Sequence, residues 1–273
     1  MAISEDQRRA RRPGVMHVAV LECETLPDAI VEARGNFANI FNQWLQTGVN
    51  KVNYKRPPQR RTSIEVTRWP VVHGVYPSDI TKVDAFIITG SICSAYDDYP
   101  WIRALEEFVR VVYDTHPHIK FFGGCFGHQL LARVFLGEHG VKVVGADYGW
   151  ENGVHDVNLT PQFVSQFPFL QGQTMRYQFL HSDEVVTTQP LPRGWLSVGS
   201  SDMCKNQGLY QPGRVLTYQG HPEFDRRILY YFTDFLGSTG TIDNDVYETS
   251  LKLIDRDSTS QLAAEVVVRF LEI

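Results

Sequence analysis

The sequence predicts an α/β fold, with a mainly parallel central sheet, helices on both faces and a small antiparallel extension. Three observations lead there. Over residues 15–132, β-branched and aromatic runs alternate with stretches of helical periodicity, the pattern of strands joined by crossover helices. Over residues 141–217 the runs shorten and turn residues crowd between them, as in antiparallel ribbons. The chain has 273 residues, 43% of them hydrophobic and 21% charged, which is enough for one large core.

Each element has its own signal. Residues 15–21, with Val15, Val18 and Val20, read as the first buried strand. Pro27 suits a first helical position and predicts a long helix. Ile30, Phe37, Ile40, Phe41, Trp44 and Leu45 repeat along it, and Gly48 serves as its C-terminal stop. Segment 49–61 places Lys51, Lys55, Arg56, Arg60 and Arg61 around Pro57 and Pro58, which predicts a solvated surface loop. A docking element for an anionic partner is the sharper alternative for it. Residues 62–72 alternate like a strand, and 83–89 form a second apolar strand. Pro100 opens a helix with Ile102, Leu105, Phe108, Val109 and Val112 on one side. Ser258 to Gln261 has the form of a capping box. It would open a last helix carrying Leu262, Val266, Val267 and Phe270. The domain plan is a disordered basic tail over 1–14, a main domain over 15–240, and a helical extension over 241–273 packed on that domain. Glu5 and Asp6 in the tail argue against a mitochondrial address.

The most informative stretch surrounds Cys125. An apolar run, Lys120-Phe-Phe, ends in Gly123-Gly124; then come Cys125, Phe126, Gly127, and a helical pattern with Leu130, Leu131 and Val134. This is the glycine-flanked nucleophile turn between a strand and a helix. Glycine permits so tight a turn. The helix N-terminus favours thiolate, the reactive form of the sulfur. Downstream, a strand-like run from Val215 breaks at Gly220-His221-Pro222-Glu223. An imidazole that takes a thiol proton, with a carboxylate to orient it, completes an activated-cysteine set of Cys125, His221 and Glu223. Cys125, Gly90 and His221 each follow a strand-like run, and sites in such sheets form at the carboxyl ends of strands.

Four blocks together resemble the class I, triad-type glutamine amidotransferase family. They are Gly123 to Gln129, Gly220 to Phe224, the Thr89-Gly90-Ser91 loop with the segment that follows it to Asp98, and Leu180-His181-Ser182-Asp183-Glu184-Val185. The last block is similar to the subgroup around the amidotransferase domain of GMP synthase, whose stand-alone members include plant γ-glutamyl peptidases. The resemblance spans about residues 15–236 and implies a flavodoxin-like fold. It also implies an oxyanion hole from the backbone around Gly90 and Phe126, and substrate binding by Gln129 with Leu180, His181 and Ser182. Two departures stand out. Thr89-Gly90-Ser91 replaces the common Gly-Gly-Pro, and Ser182 replaces a common glycine. Asp183 reads as a cap of the turn after His181, Cys93 as a small packing residue, and Trp150 and Glu151 as neighbours of the pocket.

Composition narrows the function. A net charge of -5 argues against non-specific nucleic-acid binding. Four widely spaced cysteines, Cys23, Cys93, Cys125 and Cys204, suit free thiols in a reducing cytoplasm and form no zinc pattern. No long apolar run predicts a membrane span. No Walker-type or dinucleotide fingerprint is present, so no cofactor and no metal are expected. The stretch after Leu236 is too short for a synthetase domain. The leading expectation is hydrolysis of a γ-glutamyl amide, in glutamine, a glutathione-type peptide or a γ-glutamylated metabolite, through a thioester. One alternative is a glutaminase subunit that feeds ammonia to a separate synthetase partner. Another is a non-catalytic binding or regulatory protein on the same fold.

Overall fold

The computed structural model describes residues 14–273, so the basic tail predicted over 1–14 lies, but for Gly14, outside the described residues. The chain opens with strand β1 (Val15–Leu21), then helices α1 (Asp28–Arg34) and α2 (Phe37–Asn53), strands β2 (Ser63–Trp69) and β3 (Ala85–Ile88), and helix α3 (Pro100–Thr115). Strand β4 (Lys120–Gly124) runs into helix α4 (Phe126–Leu136). Short strands follow, β5 (Val141–Gly145) and β6 (Glu151–Leu159), then helix α5 (Pro161–Gln166), then β7 (Met175–His181), β8 (Asp183–Thr187), β9 (Leu196–Ser197), β10 (Gly199–Ser200), β11 (Leu209–Gln211) and β12 (Val215–Tyr218). Helices α6 (Arg226–Ser238), α7 (Asn244–Ile254) and α8 (Ser260–Glu272) close the chain.

The main sheet has the order β2-β1-β3-β4-β12-β11-β9. Its pairs from β2 to β12 are parallel, and β11 and β9 add an antiparallel edge. The predicted antiparallel extension is present as β10-β6-β7 and β5-β8. Along β1, side chains alternate between two cores. Val18 and Val20 share one core with residues of α2 and α8, while Ala19 and Leu21 share another with residues of α3 and α4. That alternation is the strand period at work in a sheet covered on both sides. No described helix is long and apolar enough to cross a membrane.

Three sequence expectations are corrected. The long helix from Pro27 is broken into α1 and α2. Gly35 turns with φ 81°, and Asn36 caps α2 in a reciprocal capping box with Asn39. A local cap thus outweighs the continuous apolar pattern. Gly48 does not stop a helix but sits within α2, which runs on to Asn53 into the predicted loop because Val49 and Val52 are buried. A β-carbon on Gly48 would lie 2.5 Å from the Ala264 carbonyl oxygen of α8, so this glycine serves a close helix–helix approach. The capping box at 258–261 does not form. Thr259 precedes α8 without a side-chain cap, and its hydroxyl accepts from the Arg176 N–H at 2.7 Å. Its own N–H donates to the Arg176 carbonyl at 2.7 Å. A partner on β7, far away in sequence, takes the groups that a cap would use.

Helix α8 belongs to the same core as the sheet. Ala263, Ala264, Val267 and Phe270 are fully buried in one cluster with Phe41, Leu45 and Leu216. The Trp44 indole N–H donates to the Ser260 carbonyl at 3.1 Å. Gly48→Leu should therefore force α2 and α8 apart and lower stability by about 1–3 kcal/mol, read as a shift of the urea or thermal unfolding midpoint.

Candidate active site

The loop ends of three neighbouring strands build the site. Ile88 on β3 pairs with Gly123 on β4, and Tyr218 on β12 pairs with Gly124. The residues that follow them, Gly90, Cys125 and His221, therefore emerge side by side at one edge of the sheet. Cys125 has φ 50° and is the one non-glycine residue with positive φ among those described. Such a conformation costs about 1–3 kcal/mol and persists only where the surroundings impose it. Here they do. The Cys125 N–H donates to the Tyr218 carbonyl at 2.9 Å, and the Cys125 carbonyl accepts from the Gln129 N–H at 3.0 Å. The flanking glycines are needed for closeness. A β-carbon at Gly127 would lie 2.2 Å from the Ile88 carbonyl oxygen, and one at Gly123 would lie 2.5 Å from Gly127 backbone.

Cys125 is 7% exposed at the N-terminus of α4, with Sγ 3.9 Å from the Leu180 carbonyl oxygen. The imidazole of His221 interacts with both the Cys125 sulfur and the Glu223 carboxylate. Its Nδ1 is 2.8 Å from Glu223 Oε1. The His221 backbone N–H donates to the Gln178 carbonyl at 2.7 Å, which fixes the backbone that carries the ring. Phe224 stacks on the ring at 4.1 Å. On the Gly90 side there is no room for a side chain, since a β-carbon there would sit 2.7 Å from His221 Cε1. Burial favours the neutral ring, but the sulfur and the carboxylate outweigh it and raise the imidazole to about 10. A thiol, an imidazole and a carboxylate in this order can activate sulfur as a nucleophile.

The Gly90 loop is held by a residue that departs from the family pattern. Thr89 is fully buried; its hydroxyl accepts from the Cys23 N–H at 2.9 Å and donates to the Gly90 carbonyl at 3.0 Å. It ties the loop to the end of β1. Further along, Ser94 Oγ donates to Asp183 Oδ2 at 2.5 Å and the Tyr96 hydroxyl to Oδ1 at 3.1 Å. Asp183 therefore ties this loop to the start of β8 through its side chain, beyond the turn cap expected of it.

A cavity of about 410 Å³ opens beside Cys125. Gln129 and residues Leu180 to Asp183 line one part of it. Gln129 spends its amide donors within the protein, at 3.2 Å from both the Asp183 carbonyl and Gln219 Oε1. The His181 ring does not offer its nitrogens to the cavity. Nε2 is 2.8 Å from Glu151 Oε2, and Nδ1 is 2.9 Å from the Asp183 carbonyl. Glu151 is fully buried and also accepts from Ser201 Oγ at 2.5 Å and Gln207 Nε2 at 2.7 Å. Burial would raise its carboxyl, but the His181 contact outweighs this and lowers it. This network braces the 180–183 segment from behind and was not legible in the sequence, because its members lie 30 to 56 residues apart. Cys93 and Trp150 also line the cavity, as do Glu24 and the α6 residues Tyr231, Phe232, Phe235 and Leu236. The sequence reading missed the α6 wall and Glu24. The aromatic cluster directly after the His221 block was the available signal.

Comparison with known proteins agrees with this architecture. Residues 46–230 match the glutamine amidotransferase class-I family model. The chain is 32% identical over 257 residues to a glutamine amidotransferase-like protein of Schizosaccharomyces pombe, covering 93% of this chain and 98% of that one. It is 29% identical to gamma-glutamyl peptidase 4 of Arabidopsis thaliana, over 70% of this chain and 74% of the relative. Among solved structures, a glutamine amidotransferase from Thermotoga maritima superposes with a TM-score of 0.64 at 19% identity, covering 96% of this chain and all of the other. One from Methylobacillus flagellatus gives 0.61 at 16% identity, covering 95% and 91%. The chain belongs to the class I glutamine amidotransferase family, and its fold is the flavodoxin-like α/β fold of that family.

Three outcomes follow from the electrostatics. Glu223→Gln removes one of the two groups that hold a proton on His221, so the imidazole pKa should fall, as followed by NMR titration of the ring. The raised value also stabilises the folded state. That contribution is complete below about pH 6.5, the ordinary imidazole value, and is lost as pH rises through about 10. Glu151→Ala leaves a buried imidazole without its carboxylate and should cost about 3 kcal/mol in denaturant unfolding.

Proposed function

We propose that the protein hydrolyses γ-glutamyl amide bonds through a γ-glutamyl thioester on Cys125, with His221 as the proton carrier and Glu223 as its orienting carboxylate. The observation that carries this reading is the strained, glycine-flanked Cys125 set beside a Glu223-bound imidazole at the mouth of a substrate-sized cavity. The catalytic unit is residues 15–240, with 241–273 a helical extension packed on it.

The chemistry balances on these residues alone. The sulfur, its proton held on the His221 imidazole, attacks the δ-carbonyl carbon of the glutamyl group. Negative charge gathers on the carbonyl oxygen, where the Phe126 N–H at the open first turn of α4 and the backbone at Gly90 would receive it. Each such donor is worth about 3 kcal/mol of barrier. The C–N bond then breaks, and His221 protonates the departing amine. Water, deprotonated by the same ring, attacks the thioester and releases glutamate and the thiol. Gln129 and the backbone of Leu180, His181 and Ser182 hold the glutamyl end. Asp183, which faces the cavity and has only hydroxyl partners for its carboxylate among the described residues, suits the α-ammonium. All four cysteines are free, which suits a reducing compartment where the nucleophile stays a thiol.

Acid-quenching the enzyme during turnover of a γ-glutamyl compound should trap a glutamyl adduct on the peptide that contains Cys125, seen by mass spectrometry. Cys125→Ala should abolish the adduct and reduce turnover by about 10⁴-fold or more while the unfolding midpoint stays near that of the parent. An adduct on another residue, or full turnover by the variant, contradicts the reading.

A further inference from the structure

The cavity beside Cys125 has more room and more apolar wall than glutamine can use. At about 410 Å³ it falls in the range of sites for drug-sized ligands. In the reading above, the glutamyl part occupies the end at Gln129 and Asp183. The lining also includes Tyr231, Phe232, Phe235 and Leu236 of α6 and Ile92 of the loop after β3. Ile92 is 83% exposed and Phe235 is 54% exposed. Large apolar side chains left uncovered around a concave site mark where an apolar ligand loses contact with water. Ammonia, the leaving group of glutamine, is too small to reach them.

Charge narrows the ligand further. Glu24 lines the same cavity, and its carboxylate accepts from the Thr25 N–H at 2.9 Å and the Ile92 N–H at 3.3 Å. The second contact sets it against the loop that carries Ile92. No lysine or arginine is among the described residues that line the cavity, and the His181 ring is committed to Glu151. A carboxylate on the leaving amine would therefore meet a like charge, with no cation to compensate it.

We propose that the part of the cavity formed by Ile92, Glu24 and α6 is a leaving-group subsite for an apolar amine without a carboxylate. The preferred substrates are then γ-glutamyl amides of alkyl- or arylalkylamines, ahead of glutamine and of γ-glutamyl peptides. This deepens the thioester reading and rests on it. The bond broken is that between the γ-glutamyl carbonyl carbon and the amine nitrogen. The amine leaves neutral after receiving the proton carried by His221, water completes hydrolysis, and no oxidant or reductant is involved.

Three compounds separate the features. γ-Glutamyl-phenethylamide and γ-glutamyl-phenylalanine share the ring and differ by one carboxylate, and glutamine lacks the ring. With the full chain, kcat/KM for the phenethylamide should exceed that for each of the others by about tenfold or more, within the range that an apolar pocket provides. Phe235→Ser should narrow the preference over glutamine, and Glu24→Gln should narrow the preference over γ-glutamyl-phenylalanine. Equal or better use of glutamine or γ-glutamyl-phenylalanine by the parent enzyme overturns the proposal without needing either variant. If a Cys125 adduct still forms in that case, the thioester reading survives alone. If none of the three compounds gives an adduct, both fall.

Discussion

The backbone of β3 passes so near the first turn of α4 that a β-carbon on Gly127 would come within 2.2 Å of the Ile88 carbonyl oxygen. Most features of the site depend on that approach. It lets the helix start directly at the end of β4, with no connecting loop, and it leaves Cys125 to absorb the turn at φ 50°. The sulfur is then presented at the edge of the sheet by a rigid strand and a rigid helix. Parallel pairing of β3, β4 and β12 fixes where the neighbouring loops emerge, so Gly90 and His221 arrive beside it. A larger residue at 90 would displace the imidazole, and a larger one at 127 would displace the helix.

Around this rigid centre, the loops are positioned by buried polar contacts. Thr89 links the Gly90 loop to β1, Asp183 links the next part of that loop to β8, and the Glu151–His181 pair supports the 180–183 segment. Such networks carry a desolvation cost and are favourable only when nearly every group finds a partner. Glu151 meets that condition with three side-chain donors. Their geometric value is that each loop has one defined position relative to the sulfur.

Legibility in the sequence followed the range of the interactions. The nucleophile turn could be read because its glycines, cysteine and helix pattern are contiguous. The histidine and glutamate could be read because a proline and a strand end mark them. The central strands announced themselves by runs of apolar residues buried on both faces. Gly48 was misread because the residue that requires it, Ala264, lies in another helix more than two hundred positions away. The break at Gly35 was missed because the apolar spacing runs through it, while the cap that causes it rests on two asparagines. The same limit hid Glu24 and the α6 wall. Each is ordinary in its local context and becomes informative only when the fold places it beside Cys125.

The burial of α8 against α2 has a consequence for how the molecule is made. On the ribosome, the apolar stripe of α2 emerges more than two hundred residues before its partner α8. Until then Phe41, Trp44 and Leu45 lack the surface that shields them in the finished protein. Folding of that side of the sheet must await α8, and until it emerges the nascent chain carries a sticky face, the kind of exposure on which holding chaperones act.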